Sequence, residues 1–269
     1  MMKHHISARI AAPVLTALLP ALLYCSTAQA APPDGYQLVW QDLFQGEQLD
    51  LKRWTPATYL RDAAQLTADA VSVDAQGLHI RTYSEQGQHY SGFLSTAGKY
   101  SFRYGYTESR IRFQDAPGGH CAFWLQSPTL GKWTGDPQRS GVEIDIIEHR
   151  LTDMKGKDVS QLASFNLHWD GYREQHQHLG GKWQSPVSLD GSWHTYGLLW
   201  TPQEYVFYVD GTERWRTTQA ISQVAQEIRL TCELKDRGWA GPLLPQGYGT
   251  REQSPYRMDV EWVKVWQQP

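Results

Sequence analysis

The stretch Gly141-Val142-Glu143-Ile144-Asp145-Ile146-Ile147-Glu148-His149-Arg150 alternates acidic and apolar side chains and then breaks step. Side chains at i and i+2 of a strand share a face, so Glu143 and Asp145 point one way while Val142, Ile144 and Ile146 point into a core. Glu148 stands three residues beyond Asp145 and falls on the wrong side. One extra residue in a β-bulge corrects the parity, and bulges are favoured where a side chain must be re-aimed. The stretch therefore predicts a bulged strand that buries its isoleucines and turns three carboxylates to one surface.

Working outward, the same texture recurs along the chain. Val71–Val73, Leu78–Thr82, Tyr104–Phe113, Cys121–Leu125, Ala163–Trp169, His194–Trp200, Tyr205–Val209, Glu227–Leu234 and Met258–Trp266 are short apolar or alternating runs bounded by Gly, Pro, Asp or Asn. Tyr205–Val209 ends in Asp210-Gly211, a two-residue hairpin signal. Helical periodicity is nearly absent, and only Thr218–Gln226 suits a short helix. The pattern predicts an all-β fold of two packed antiparallel sheets. No linker or composition break divides residues 31–269, which are expected to form one domain.

Three ionised acids in line repel one another and contribute nothing to folding. Retaining glycoside hydrolysis, however, needs two carboxyl groups about 5–5.5 Å apart. One attacks the anomeric carbon, while the other protonates the leaving oxygen and later deprotonates water. A middle acid hydrogen-bonded to the nucleophile adds negative charge that keeps a proton on the general acid. The bland alternatives are a solvated strand face or a calcium site, although calcium loops favour turns rich in Asp, Asn and Gly. All twelve tryptophans fall between Trp40 and Trp266. Many suit a sandwich core, but Trp133, Trp169 and Trp239 sit among Gly, Pro and Asp, where stacking on a sugar is a better use of the ring.

The first 30 residues hold Lys3 and Arg9, no acid, an apolar run from Ile10 to Tyr24, and Ala28-Gln29-Ala30. This is the pattern of a secretory leader cleaved near Ala30. A lipoprotein reading on Cys25 is disfavoured by the bulky Tyr24 before it. Without these residues the chain has 23 Lys and Arg against 28 Asp and Glu. That mildly acidic balance excludes a basic field for nucleic acid or an anionic membrane surface. A secreted, extracellular or periplasmic monomer is expected. Cys121 and Cys232 are left as either one bridge or two buried thiols. His176-Gln177-His178 with His168 invites a zinc reading, but no Cys or acid is seen to complete a ligand set, so a polar loop and no metal or other cofactor are expected.

Glu143-Ile144-Asp145-Ile146-Ile147-Glu148 resembles the bulged active-site strand of glycoside hydrolase family sixteen, the laminarinase-like endo-glycanases with a β-jelly-roll fold. The likeness extends through Leu38-Val39-Trp40-Gln41-Asp42-Leu43-Phe44, Tyr104-Gly105-Tyr106-Thr107-Glu108-Ser109-Arg110, Ala122-Phe123-Trp124-Leu125, Trp193–Trp200, Phe207–Gly211 and Met258–Trp266, in the family's order. It implies a concanavalin A-like sandwich with a catalytic cleft on the concave sheet. It implies Glu143 as nucleophile, Asp145 as its assistant and Glu148 as acid/base. Glu108 and Arg110 match a pair implied to contact donor-side sugar hydroxyls, the alternative being a cross-strand ion pair. Asn166 and His168 are implied on the leaving-group side, and Trp124, Trp169 and Trp239 as stacking residues. Leu43 and Glu261 stand where many members hold calcium, so that site is not expected.

The resemblance implies a polysaccharide substrate bound mid-chain, with β-1,3-glucan favoured by the bulge. Mixed-linkage glucan and galactans of the agarose and carrageenan kinds are the alternatives, and the net charge weighs mildly against heavily sulfated ones. A lectin-like module of the same architecture is the competing class. It does not need Glu143 and Glu148 together.

Overall fold

The computed structural model describes residues 1–2 and 32–269. The proposed leader and the Cys25 reading fall on residues 3–31, outside that range. Two sheets face each other. The seven-stranded sheet runs, in spatial order, Gln177–Gln184, Leu162–Trp169, Glu143–His149, Gly119–Gln126, Glu227–Leu234, Phe93–Ser95 and Thr55–Pro56. The eleven-stranded sheet has Gly105–Gln114 at its middle, flanked by Trp193–Trp200 and the long Arg257–Gln267. Among the described strands, pairing is antiparallel except where Ala64–Leu66 runs parallel to Gln88–Ser91, and an isolated bridge between Phe113 and Asp190 is also parallel.

The alternation of each strand decides what lies between the sheets. Phe123, Leu125, Ile144, Ile147, Phe165 and Leu167 from one sheet meet Ile111, Phe113, Tyr196, Leu198, Val260 and Val263 from the other, all fully buried. Each such side chain contributes about 1.5–3 kcal/mol when removed from water. A buried polar clamp also crosses this layer. His149 Nδ1 lies 2.6 Å from Asp115 Oδ2, its Nε2 donates to the Ser160 carbonyl at 2.9 Å, and its ring stacks on Phe113. Desolvation pushes the Asp115 carboxyl up to about 6, against the lowering effect of His149.

Cys121 and Cys232 are direct cross-strand neighbours and form a disulfide, closing one of the two readings left open by the sequence. At Asp210 and Gly211 both φ angles are positive, as the two-residue hairpin turn requires. Thr218–Gln226 forms no helix. Its backbone is held by side chains instead: Ser222 N–H donates to the Tyr205 hydroxyl at 2.7 Å, and the Ser222 carbonyl accepts from Trp200 Nε1 at 3.2 Å. The short helix is Pro137–Ser140, capped by Asp136. Among the described residues, no helix is long and apolar enough to cross a membrane.

Candidate active site

The strand Glu143–His149 pairs with Gly119–Gln126 on one side, Trp124 opposite Asp145 and Phe123 opposite Ile147, which leaves Ile146 without a partner. On the other side Asp145 is opposite Asn166 and Glu148 opposite Ser164, three residues against two. This is the bulge that the parity argument requires. Ile146 and Ile147 are both fully buried, and Glu148 returns to the face of Glu143 and Asp145. All three line one cleft of about 300 Å³, together with Trp124, His168 and Trp239. A second hollow continues past Glu143 and Tyr172 along Gln126 and Leu130, and a third extends it to Asp170 and Gln175. The acids thus sit at one end of a run of three adjoining hollows.

The carboxylates differ in their surroundings. Glu143 accepts a hydrogen bond from the Tyr172 hydroxyl, whose oxygen also lies 3.0 Å from Gln126 Oε1. Burial raises the Glu143 pKa, and the tyrosine bond partly opposes it. Asp145 is raised well above its ordinary range by burial and by the charge of Glu143. No hydrogen bond joins Asp145 to Glu143, contrary to expectation; His168 Nε2 is its polar neighbour at 3.4 Å. Glu148 is also raised well above the usual range, by burial and then by Asp145, while the amide of Asn166 donates to it and pulls the other way. Asn166 fits because Gly180 faces it: a Cβ there would stand 2.4 Å from the Asn166 amide oxygen.

Trp124 is nearly buried on the groove side, its indole N–H donating to Thr231 at 3.1 Å. Trp239 borders the groove, with the His120 ring edge-on at 5.3 Å and the Arg150 guanidinium 3.8 Å over its face. Trp169 does not join them. It shares parity with Phe165 and Leu167 and packs against the main core. Glu108 and Arg110 also lie elsewhere. Their strand belongs to the eleven-stranded sheet, where Ile111 and Phe113 face inward and the alternate residues face away from the groove. Glu108 is 1 % exposed and bonded to the Tyr106 hydroxyl, and Arg110 pairs with Glu261, the cross-strand ion-pair alternative. Leu43 borders that same outer hollow.

Several groove residues escaped the sequence reading. His120 shares the parity of Ala122 and Trp124 and reaches 3.8 Å from Glu148 Oε1, a signal that alternation alone carries. Tyr172 belongs to the turn after Leu162–Trp169, where spacing says nothing about reach, and His176, expected in a polar loop, lines the groove from the same turn. His176 meets His168, Nε2 to Nδ1, at 2.9 Å. The expectation that no acid lies near these histidines fails, because Asp145 is beside His168.

A family model described as β-porphyranase A–D, family-sixteen domain, matches residues 39–268. The chain belongs to glycoside hydrolase family sixteen. It is 26 % identical over 222 residues to the glucan endo-1,3-β-glucosidase A1 of Niallia circulans, an alignment spanning 69 % of this chain and 31 % of that protein. The chain therefore matches about a third of that relative's length. Among solved structures, the catalytic domain of an endo-1,3-β-glucanase from Thermotoga petrophila superposes with TM-score 0.71 at 20 % identity, covering 87 % of this chain and 98 % of that one. Porphyranase B from Zobellia galactanivorans also gives 0.71, at 22 % identity, covering 86 % and 92 %. These two likenesses show the jelly-roll fold.

Proposed function

We propose that this chain is an exported, retaining endo-β-glycanase with Glu143 as nucleophile, Glu148 as acid/base and Asp145 as their electrostatic partner. The observation that carries the reading is the bulge at Ile146, which brings three acids onto one groove face with no Lys or Arg paired to any of them among the described residues. Tyr172 holds one oxygen of Glu143 and leaves the other free for the anomeric carbon, and its hydrogen bond favours the ionised form. Glu148, kept protonated by burial and by Asp145, donates to the departing oxygen and then takes a proton from water. Asn166 and His120 orient it from two sides. An extended run of three adjoining hollows suits a polysaccharide chain. The Cys121–Cys232 bridge supports an oxidising compartment.

For the substrate, the match to the β-porphyranase domain favours a sulfated galactan over the β-1,3-glucan preferred from sequence alone. Of the cations lining the groove, Arg61 pairs with Glu233, Arg229 with Glu227 and Lys235 with Asp62, so local charge adds no support to that choice. Arg150, stacked on Trp239 beside the groove, has no salt-bridge partner among the described residues. A β-1,3-glucan is the second reading, supported by the Niallia circulans relative. Product analysis on porphyran, agarose, carrageenan, laminarin and mixed-linkage glucan decides between them. Oligosaccharides from porphyran alone support the galactan, and products from laminarin alone reject it.

A further inference from the structure

We propose that Glu143, Asp145 and His168 form a binding site for a divalent cation of the zinc class. Asp145 is 4 % exposed, and its Oδ2 is buried without a hydrogen-bond partner. His168 Nε2 faces that oxygen at 3.4 Å. This is longer than the roughly 2.7–3.2 Å of an N–H···O bond. It matches the edge of a tetrahedron whose ligands lie about 2.0–2.2 Å from zinc, which is about 3.3–3.6 Å. A Glu143 oxygen completes a triangle in which all three ligand atoms lie within 4.8 Å of one another. Closing that triangle around an ion brings ligand atoms now no more than 4.8 Å apart to that edge length. The fourth position opens onto the groove.

The imidazole can be presented in the state a metal requires. His168 Nδ1 and His176 Nε2 stand 2.9 Å apart, so a proton lies between them. When that proton is on Nδ1, donated to His176, the Nε2 lone pair is aimed at the space beside Asp145. A partner on the far ring nitrogen is the usual means of orienting a metal-bound histidine. His178, directly across the strand pair from His168, stacks alongside at 6.2 Å and steadies the ring. One nitrogen and two carboxylate oxygens suit zinc or copper better than calcium or magnesium, which take oxygen alone. An ion bound here occupies two of the three groove acids. It therefore acts as a block on the proposed hydrolysis and not as its cofactor, and only this consequence rests on the proposed activity.

The test is calorimetric titration of the folded wild-type protein with zinc chloride, repeated on Asp145→Asn, His176→Gln and Glu148→Gln. The wild type is expected to bind one zinc per chain. Asp145→Asn and His176→Gln should each weaken binding at least about tenfold, with folding checked by circular dichroism, and Glu148→Gln should bind as the wild type does. No saturable binding, or equal affinity in Asp145→Asn, overturns the site; in the second case His176 and His178 hold the ion without the acids. The readout is the heat of binding, so a negative result leaves the hydrolytic reading standing. Loss of turnover in Glu143→Gln is separate evidence.

Discussion

The strands Glu143–His149 and Gly105–Gln114 lie in opposite sheets, and each turns ionisable side chains two residues apart away from the core. On Gly105–Gln114 the two arginines are paired with carboxylates and the one carboxyl is sealed from water. Tyr106 donates to Glu108 at 2.8 Å, Arg110 pairs with Glu261, and Tyr106 packs with Trp262 and Trp266 into a second apolar layer that seals the carboxyl. On Glu143–His149 the acids face a groove, and their neighbours are histidines, an asparagine and a tyrosine instead of cations. Alternation says which side a residue takes. Whether that side is neutralised depends on strands far away in the chain.

The sharpest break between the two regions is turnover. Glu143→Gln and Glu148→Gln are each expected to lower kcat by at least ~10³-fold while the fold survives, because each removes a group that bonds to or protonates the sugar. Glu108→Gln should change turnover by less than about threefold. Comparable losses in all three variants would erase the distinction. Assays at saturating polysaccharide, with thermal unfolding as a control, read both.

The clamp between the sheets comes next. Asp115→Ala leaves His149 buried without its carboxylate and is expected to cost about 3–5 kcal/mol of stability by denaturant titration. A change below 1 kcal/mol would show that the pair does not tie the sheets together.

Glu108 itself offers a pH test. Burial pushes its carboxyl up to about 7 from 4.5, so the folded state holds this proton more tightly than the unfolded chain does. Its contribution is therefore most favourable below pH 4.5 and is lost as pH rises through 7. The loss is on the order of 3 kcal/mol. Glu108→Gln, which does not titrate, should gain stability relative to wild type between pH 4 and 8. A constant difference across that range contradicts the sealed-carboxyl description.

Within the groove the effects are smaller and opposite in sign. The Asp145 charge raises Glu148, so Asp145→Asn should move the alkaline limb of kcat/KM to lower pH. Gly180→Ala crowds the Asn166 amide, weakening a bond that lowers Glu148, and should move the same limb to higher pH. Both limbs unchanged would mean that Glu148 is not the titrating acid.

The bulged strand was readable because the isoleucines fix its parity and the third acid violates it. The sandwich was readable from turn residues and alternation. Sheet membership was not, since neither Glu108 nor its neighbours carry any mark of which sheet their strand will join. The Cys121–Cys232 bridge depended on knowing that Gly119–Gln126 and Glu227–Leu234 are adjacent. The polar surroundings of Trp169 point outward while its parity with Leu167 points inward, and the packing follows the parity. Tyr172 and His176 lie in a turn, where reach is set by backbone geometry that no periodicity encodes.

The proposed hydrolysis depends on attack of one Glu143 oxygen on the sugar. Incubation with an activated 2-deoxy-2-fluoro glycoside of the matching sugar, followed by proteolysis and mass spectrometry, tests it directly. A covalent glycosyl adduct on Glu143, absent from Glu143→Gln, is the predicted result. An adduct on Glu148 or Glu108, or none while the reagent is turned over, contradicts it.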